Sequence, residues 1–246
     1  MSDGPAHDQR AQSGGSSMSD SPARGSRAGT VRQAAALLCA HDPGHPVRVA
    51  VDGVTASGKS TLARELATAI TETGRPVIHL TMDGYHHPRA HRYRQGRLSA
   101  RGYYDDAYDF AAFARHVLVP LGPGGDRRYR QQIIDLPSDQ PRDEPPAEAP
   151  ANAVLVVDGS FLQRPELAPH WDHVVFVRVA LGTARARGTA RDAEQVGGLA
   201  EAGRVYDARY HAAARIYLAE AAPERHATLI FDNNDLARPR LLAPPG

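Results

Sequence analysis

Lysine is nearly missing from this chain of 246 residues. Of its 29 basic residues all but one are arginine, and the exception is Lys59. Any recognition sequence that requires a lysine elsewhere is excluded at once. Cysteine is as scarce: Cys39 stands alone, so no internal disulfide can form, and a reducing cytoplasm is the expected compartment. No apolar run approaches the roughly 18–20 residues that a bilayer-crossing helix needs, so no membrane partner is expected. A charge excess is missing too. The net charge is +1 and the arginines are interspersed with 28 acids, which argues against a dedicated nucleic-acid binder. Residues 1–29 hold hardly any bulky apolar side chain and no apolar signal core, and read as a disordered tail.

What is present begins at Lys59. It falls inside GVTASGKS at residues 53–60, which matches the phosphate-binding pattern G-x-x-x-x-G-K-[ST]. A slim ammonium on a flexible stem reaches β- and γ-phosphates where a planar guanidinium is too wide. The run VRVAV at 47–51 reads as a buried strand leading into the loop. Leu62, Leu66, Ala69 and Ile70 then recur at helical spacing until Gly74 and Pro76 stop the helix. Strand, glycine loop and helix in that order aim the N–H groups of residues 56–61 at one point, at the positive end of the helix. Gly53, Thr55, Ala56, Ser57, Gly58, Lys59, Ser60 and Thr61 are the expected nucleotide cradle.

The rest of the chain, residues 30–240, is expected to form one domain. A helix is expected at 30–40 and a second strand at 76–82. Residues 84–108 show little apolar periodicity and read as a functional loop. A helix at 110–118 and a short strand at 131–136 follow, then a proline-rich, mobile loop at 137–151. Apolar runs at 153–158, 173–179 and 227–232 read as buried strands, and 183–193 and 202–222 as helices. Near-continuous apolar strands separated by helices imply an α/β fold, a mostly parallel five-stranded sheet with helices on both faces.

Four acids, Asp52, Asp83, Asp158 and Asp232, end strands on the side where ligands gather in such sheets. Ser60 and Asp158 are the expected Mg²⁺ ligands. Asp83 is the expected general base if the phosphate acceptor is an alcohol, because the following GYHHP, with Tyr85 and His86, can shape an acceptor pocket. Tyr85, Tyr103 and Tyr104 read equally as substrate-stacking or as packing residues. His86, His87 and His91 lack the acid or cysteine partners of a zinc site. Arg187 and Arg191, four apart on one helical face, are expected to close over the nucleotide as a lid spanning about 183–205, with Arg185 on another face.

These residues resemble those of the uridine kinase and phosphoribulokinase family of P-loop kinases. The resemblance is carried by VDGVTASGKS at 51–60, TMDGY at 81–85, YDDAYDF at 104–110, VLVVDG at 154–159 and RGTARD at 187–192. It implies a P-loop fold, ATP and Mg²⁺ as cofactors, Asp83 as catalytic base and transfer of the γ-phosphate to a small-molecule alcohol. Uridine or cytidine is the first acceptor, with Tyr104 and Arg130 of the GDRRYR segment among its contacts. Three departures bear on this. The family's Glu-Gly after the third strand is Asp158-Gly159 here, its nucleoside-binding Tyr-Asp-Phe element survives only as that segment, and the Pro-bearing, nucleoside-binding segment after its lid is replaced by YDARY at 206–210. Pantothenate, ribosyl nicotinamide, glycerate and sugars therefore stay open as acceptors, as do a non-catalytic ATP-binding regulator and a homo-oligomer. A GTPase is excluded, since its Asn/Thr-Lys-x-Asp guanine motif needs a second lysine. So is a transport ATPase, whose Leu-Ser-Gly-Gly-Gln signature is missing.

Overall fold

Alternation along the strands decides the layering. In the third strand Val154 and Val156 face one apolar layer, while Leu155 and Val157 face another. A strand buried on both sides must lie inside a sheet covered on both faces. The computed structural model describes Met1, residues 25–40 and residues 42–245. Its central sheet contains β1 (Val47–Gly53), β2 (Val77–Thr81), β3 (Val154–Gly159), β4 (His173–Arg178), β5 (Leu229–Asp232) and β6 (Arg240–Leu242). The strand order is β2-β3-β1-β4-β5-β6. The first five run parallel and β6 pairs antiparallel with β5. The sheet thus has six strands where the apolar runs announced five. The sixth is three residues long and follows an Arg-Pro pair, so no run marks it.

One face is covered by α1 (Arg27–Cys39) and α2 (Lys59–Thr71), which pack Val31, Leu38, Leu62, Leu66 and Ile70 on the valines of β1, β3 and β4. The other face is aromatic. Here α3 (Ala100–Asp106), α4 (Phe110–Phe113) and the later α7 (His211–Ala221) bury Tyr103, Tyr104, Phe110, Phe113 and Tyr217 around Phe161. Between them in sequence lie α5 (Leu181–Val196) and α6 (Leu199–Val205). The stretch expected to be a functional loop, 84–108, is divided: Tyr85, Tyr103, Tyr104 and Tyr108 are buried, while residues 88–90 and 94–97 are exposed. Its burial is carried by tyrosines on short helical turns, which an apolar count passes over.

The expected strand at 131–136 shrinks to Ile134–Asp135, paired with Gln140–Pro141, and Arg128–Tyr129 pairs with Ala147–Glu148. The proline-rich stretch is thus tied down at two points. The helix expected at 110–118 continues beyond α4 as a π turn, Ala114–Leu118.

The expected tail falls mostly outside the described residues, but its boundary moves. Ser26 caps α1, accepting from the Gly29 N–H at 3.2 Å. Arg27 donates to Glu65 at 2.8 Å and to Asn233 Oδ1 at 2.8 Å. Truncation through residue 28 is accordingly expected to lower the melting midpoint. Losing the cap alone costs about 1 kcal/mol, which corresponds to about 2–4 °C in a domain of this size. Calorimetry of the truncated chain checks this, and an unchanged midpoint would show that cap and ion pair contribute nothing.

Candidate active site

The loop between β1 and α2 is shaped by its glycines. Gly53 and Gly58 have φ of 152° and 96°. A Cβ on Gly53 would stand 2.7 Å from the Val177 carbonyl, and one on Gly58 2.5 Å from the Asn233 amide. Only glycine satisfies both the backbone angle and the close approach. The first helical bond of α2 runs from the Leu62 N–H to the Gly58 carbonyl at 3.0 Å. The N–H groups of Lys59, Ser60 and Thr61 precede it and have no acceptor within the helix. Ser57 Oγ is buried without a hydrogen-bond partner. A nest of unspent donors at a helix N-terminus fits a polyphosphate.

Lys59 folds across this nest and donates to the Val54 carbonyl at 2.8 Å. Burial pushes its ammonium down to about 8, while Asp52, Asp158 and Asp83 pull the other way. It is therefore still charged at neutral pH. The Ser60 hydroxyl donates to Asp158 Oδ2 at 2.5 Å, and His79 Nε2 lies 2.9 Å from Asp158 Oδ1. A serine oxygen beside a carboxylate is the sparse, hard-oxygen donor set that Mg²⁺ takes alongside phosphate and water. His79 was not foreseen. On the edge strand β2 it shares the outward face with Thr81, two residues on, and that alternation is the signal that marks it.

The four strand-end acids do not act alike. Asp52 points back into the core, accepting from the Gly53 N–H at 2.8 Å, from Gln163 Nε2 at 2.9 Å and from the Tyr217 hydroxyl. Burial raises its pKa. Asp232 is held by Asn234 and Arg240. Only Asp83 and Asp158 reach the open cleft above the loop, a space of about 560 Å³.

Asp83 sits on a turn that Thr81 caps, its side chain 63% exposed, with His86 Nε2 at 3.5 Å from its Oδ1. That histidine donates Nδ1–H to the Ala107 carbonyl at 2.7 Å and stacks on Tyr108 at 4.2 Å. The imidazole beside Asp83 holds its carboxyl below the usual range. Across the cleft, Arg191 pairs with Asp192 at 2.7 Å, and the Tyr206 hydroxyl donates to the same Asp192 at 2.9 Å.

Searches by sequence return nothing: no family model and no curated protein matches the chain. Solved structures do match. A Bacillus stearothermophilus protein named as a possible uridine kinase aligns over 82% of this chain and 97% of its own, at 22% identity and a TM-score of 0.66. A Silicibacter sp. TM1040 protein named as a candidate fructose transport system kinase aligns over 77% and 94%, at 26% identity and a TM-score of 0.65. The chain has the P-loop kinase fold of these proteins.

Within this P-loop kinase fold the expected site residues separate. Thr55, Ala56, Gly58, Lys59, Ser60 and Thr61 of the loop share the cleft with Asp83, His86, Asp158 and Arg191, whereas Gly53 and Ser57 do not line it. Tyr85 does not: it is fully buried and its hydroxyl donates to the Arg130 carbonyl at 2.8 Å. Tyr104 is core as well, stacked under Arg164 at 4.4 Å. Arg130 points away to Asp143 at 2.8 Å. Packing accounts for the two tyrosines and a surface ion pair for Arg130, and none of the three lines the cleft. Arg187 spends both terminal nitrogens on the carbonyls of Asn233 and Asn234, at 3.0 and 2.8 Å. It anchors the base of α5 to the loop after β5, whereas Arg191 stands about 6 Å further along the axis. Arg185 pairs with Asp207 outside the cleft.

Arg191→Ala is therefore expected to lower kcat about tenfold or more with little change in KM for ATP, as loss of a contact made mainly in the transition state does. Arg187→Ala and Arg185→Ala should lower the melting midpoint more than kcat. Steady-state kinetics and thermal melts of the three variants decide this, and equal effects on kcat would remove Arg191 from the site.

Proposed function

We propose that the protein is an ATP-dependent small-molecule kinase that transfers the γ-phosphoryl group to a hydroxyl. The observation that carries this is the exposed Asp83 carboxylate, which opens onto the same cleft as Lys59 and the Ser60–Asp158 pair. A protein that only binds ATP has no use for a second, ionised acid facing the phosphate loop. Lys59 and the free N–H groups of α2 hold the phosphates and offset charge as it moves. Mg²⁺ at Ser60 and Asp158 would supply further neutralisation of the phosphate oxygens. Asp83 accepts the hydroxyl proton as the acceptor oxygen attacks. Arg191 lines the same cleft and, once released from Asp192, would meet charge on the migrating group.

None of the described helices is long and apolar enough to cross a membrane. A coupled ADP-release screen against nucleosides, vitamins and sugar derivatives tests the reading. One acceptor class should stimulate release well above the acceptor-free rate. Slow release that no alcohol stimulates would favour an ATP-binding regulator instead.

A further inference from the structure

One wall of the cleft carries a cation with no acid to match it. Arg209 is buried, only 6% exposed. The other two arginines of the cleft are neutralised: Arg92 by Asp139 at 3.2 Å and Arg191 by Asp192 at 2.7 Å. Among the described residues no carboxylate lies within ion-pair distance of Arg209. The acids nearest it in sequence are engaged elsewhere, Asp207 with Arg185 and Glu201 with Arg204. Arg209 donates one hydrogen bond, to the Arg97 carbonyl at 2.8 Å. Its plane is flanked by Tyr103 at 4.7 Å and Tyr93 at 5.1 Å. Ring faces attract a guanidinium but leave its charge whole, and a buried charge without a counter-ion is costly.

The backbone underneath points the same way. Between α6 and α7 the helix widens into a π turn, Tyr206–Tyr210, a distortion that recurs at functional sites. Tyr206, Arg209 and Tyr210 all line the cleft. An unbroken row of ring contacts joins Arg209 to the base: Tyr103 meets Tyr108, Tyr108 stacks on His86, and His86 faces Asp83. A small molecule lying along this aromatic wall has a carboxylate to take its hydroxyl proton at one end and a guanidinium at the other.

We propose that Arg209 is an anion-binding residue of the acceptor pocket, and that the acceptor is a small alcohol carrying a carboxylate or phosphate group rather than a neutral nucleoside or sugar. The word acceptor rests on the kinase reading; the anion site itself does not. The test uses the full chain loaded with Mg²⁺ and ADP, so that the phosphate loop is filled, and follows thermal midpoint against matched pairs. These are glycerate and glycerol, pantothenate and pantothenyl alcohol, ribose 5-phosphate and ribose, with uridine alongside. A charged member should raise the midpoint and its neutral twin should not. Which pair responds distinguishes carboxylate from phosphate. Arg209→Gln should weaken that binding about 10- to 100-fold, the usual worth of a hydrogen bond to a charged group, and Arg209→Lys should retain part of it. KM for ATP should stay unchanged in both variants. The proposal is overturned if no charged member binds, if neutral twins or uridine bind as well, or if neither variant alters the charged ligand's affinity. A charged compound that binds through Arg209 but is never phosphorylated would sink the kinase reading and leave the anion site standing.

Discussion

Lys59→Ala is expected to abolish phosphoryl transfer, lowering turnover by roughly 10³-fold or more, because it removes the one mobile cation that follows the migrating phosphate. No other residue can substitute. The remaining basic side chains are arginines, and the nearest in the cleft, Arg191, is bound to Asp192. The fold should be indifferent to the change. Burial depresses the Lys59 pKa, so the folded state disfavours this charge and loses little when it goes. Activity assays beside thermal melts check both halves. An active variant would end the phosphate-loop account, and an inactive but unfolded one would show Lys59 to be structural.

Asp83→Asn carries the second large effect. It preserves shape and removes the proton acceptor, so ATP binding should stay near normal while turnover falls by roughly 10²–10⁴. The pH profile provides an independent reading. Asp83 must be ionised to act, and the His86 imidazole holds its pKa below the ordinary carboxylate value. Activity is then present above that low pKa and lost only as pH falls through it, so kcat should be flat from pH 5 to 7, well above the usual carboxylate range near 4. A limb with its midpoint near 6.5 would instead mark a histidine as the base.

The parts of this arrangement that local sequence controls were legible in it. GVTASGKS fixes the loop because each glycine answers a backbone demand, and four buried parallel strands follow from apolar runs with no polar face. Contacts distant in sequence hid the rest. Asp52 and Asp158 both end strands, yet Asp52 turns inward because Tyr217 and Gln163 meet it from far along the chain. Arg187 and Arg191 share a helical face, but only the former meets the Asn233 and Asn234 carbonyls. Tyr85 and Tyr104 look alike in a polar, histidine-rich stretch, and their burial depends on the aromatic layer beneath the sheet. The π turn at Tyr206–Tyr210 breaks helical periodicity, so spacing alone does not bring Arg209 to the cleft. His79 shows only once β2 is known to be an edge strand.

The most direct test follows the phosphoryl group itself. The wild-type protein, supplied with Mg²⁺, γ-labelled ATP and the alcohol that best stimulates ADP release, should place the label on that alcohol's oxygen, mole for mole with ADP. Asp83→Asn should do so at the reduced rate given above. Label found only in inorganic phosphate, at a rate no alcohol changes and Asp83→Asn leaves intact, would contradict the account.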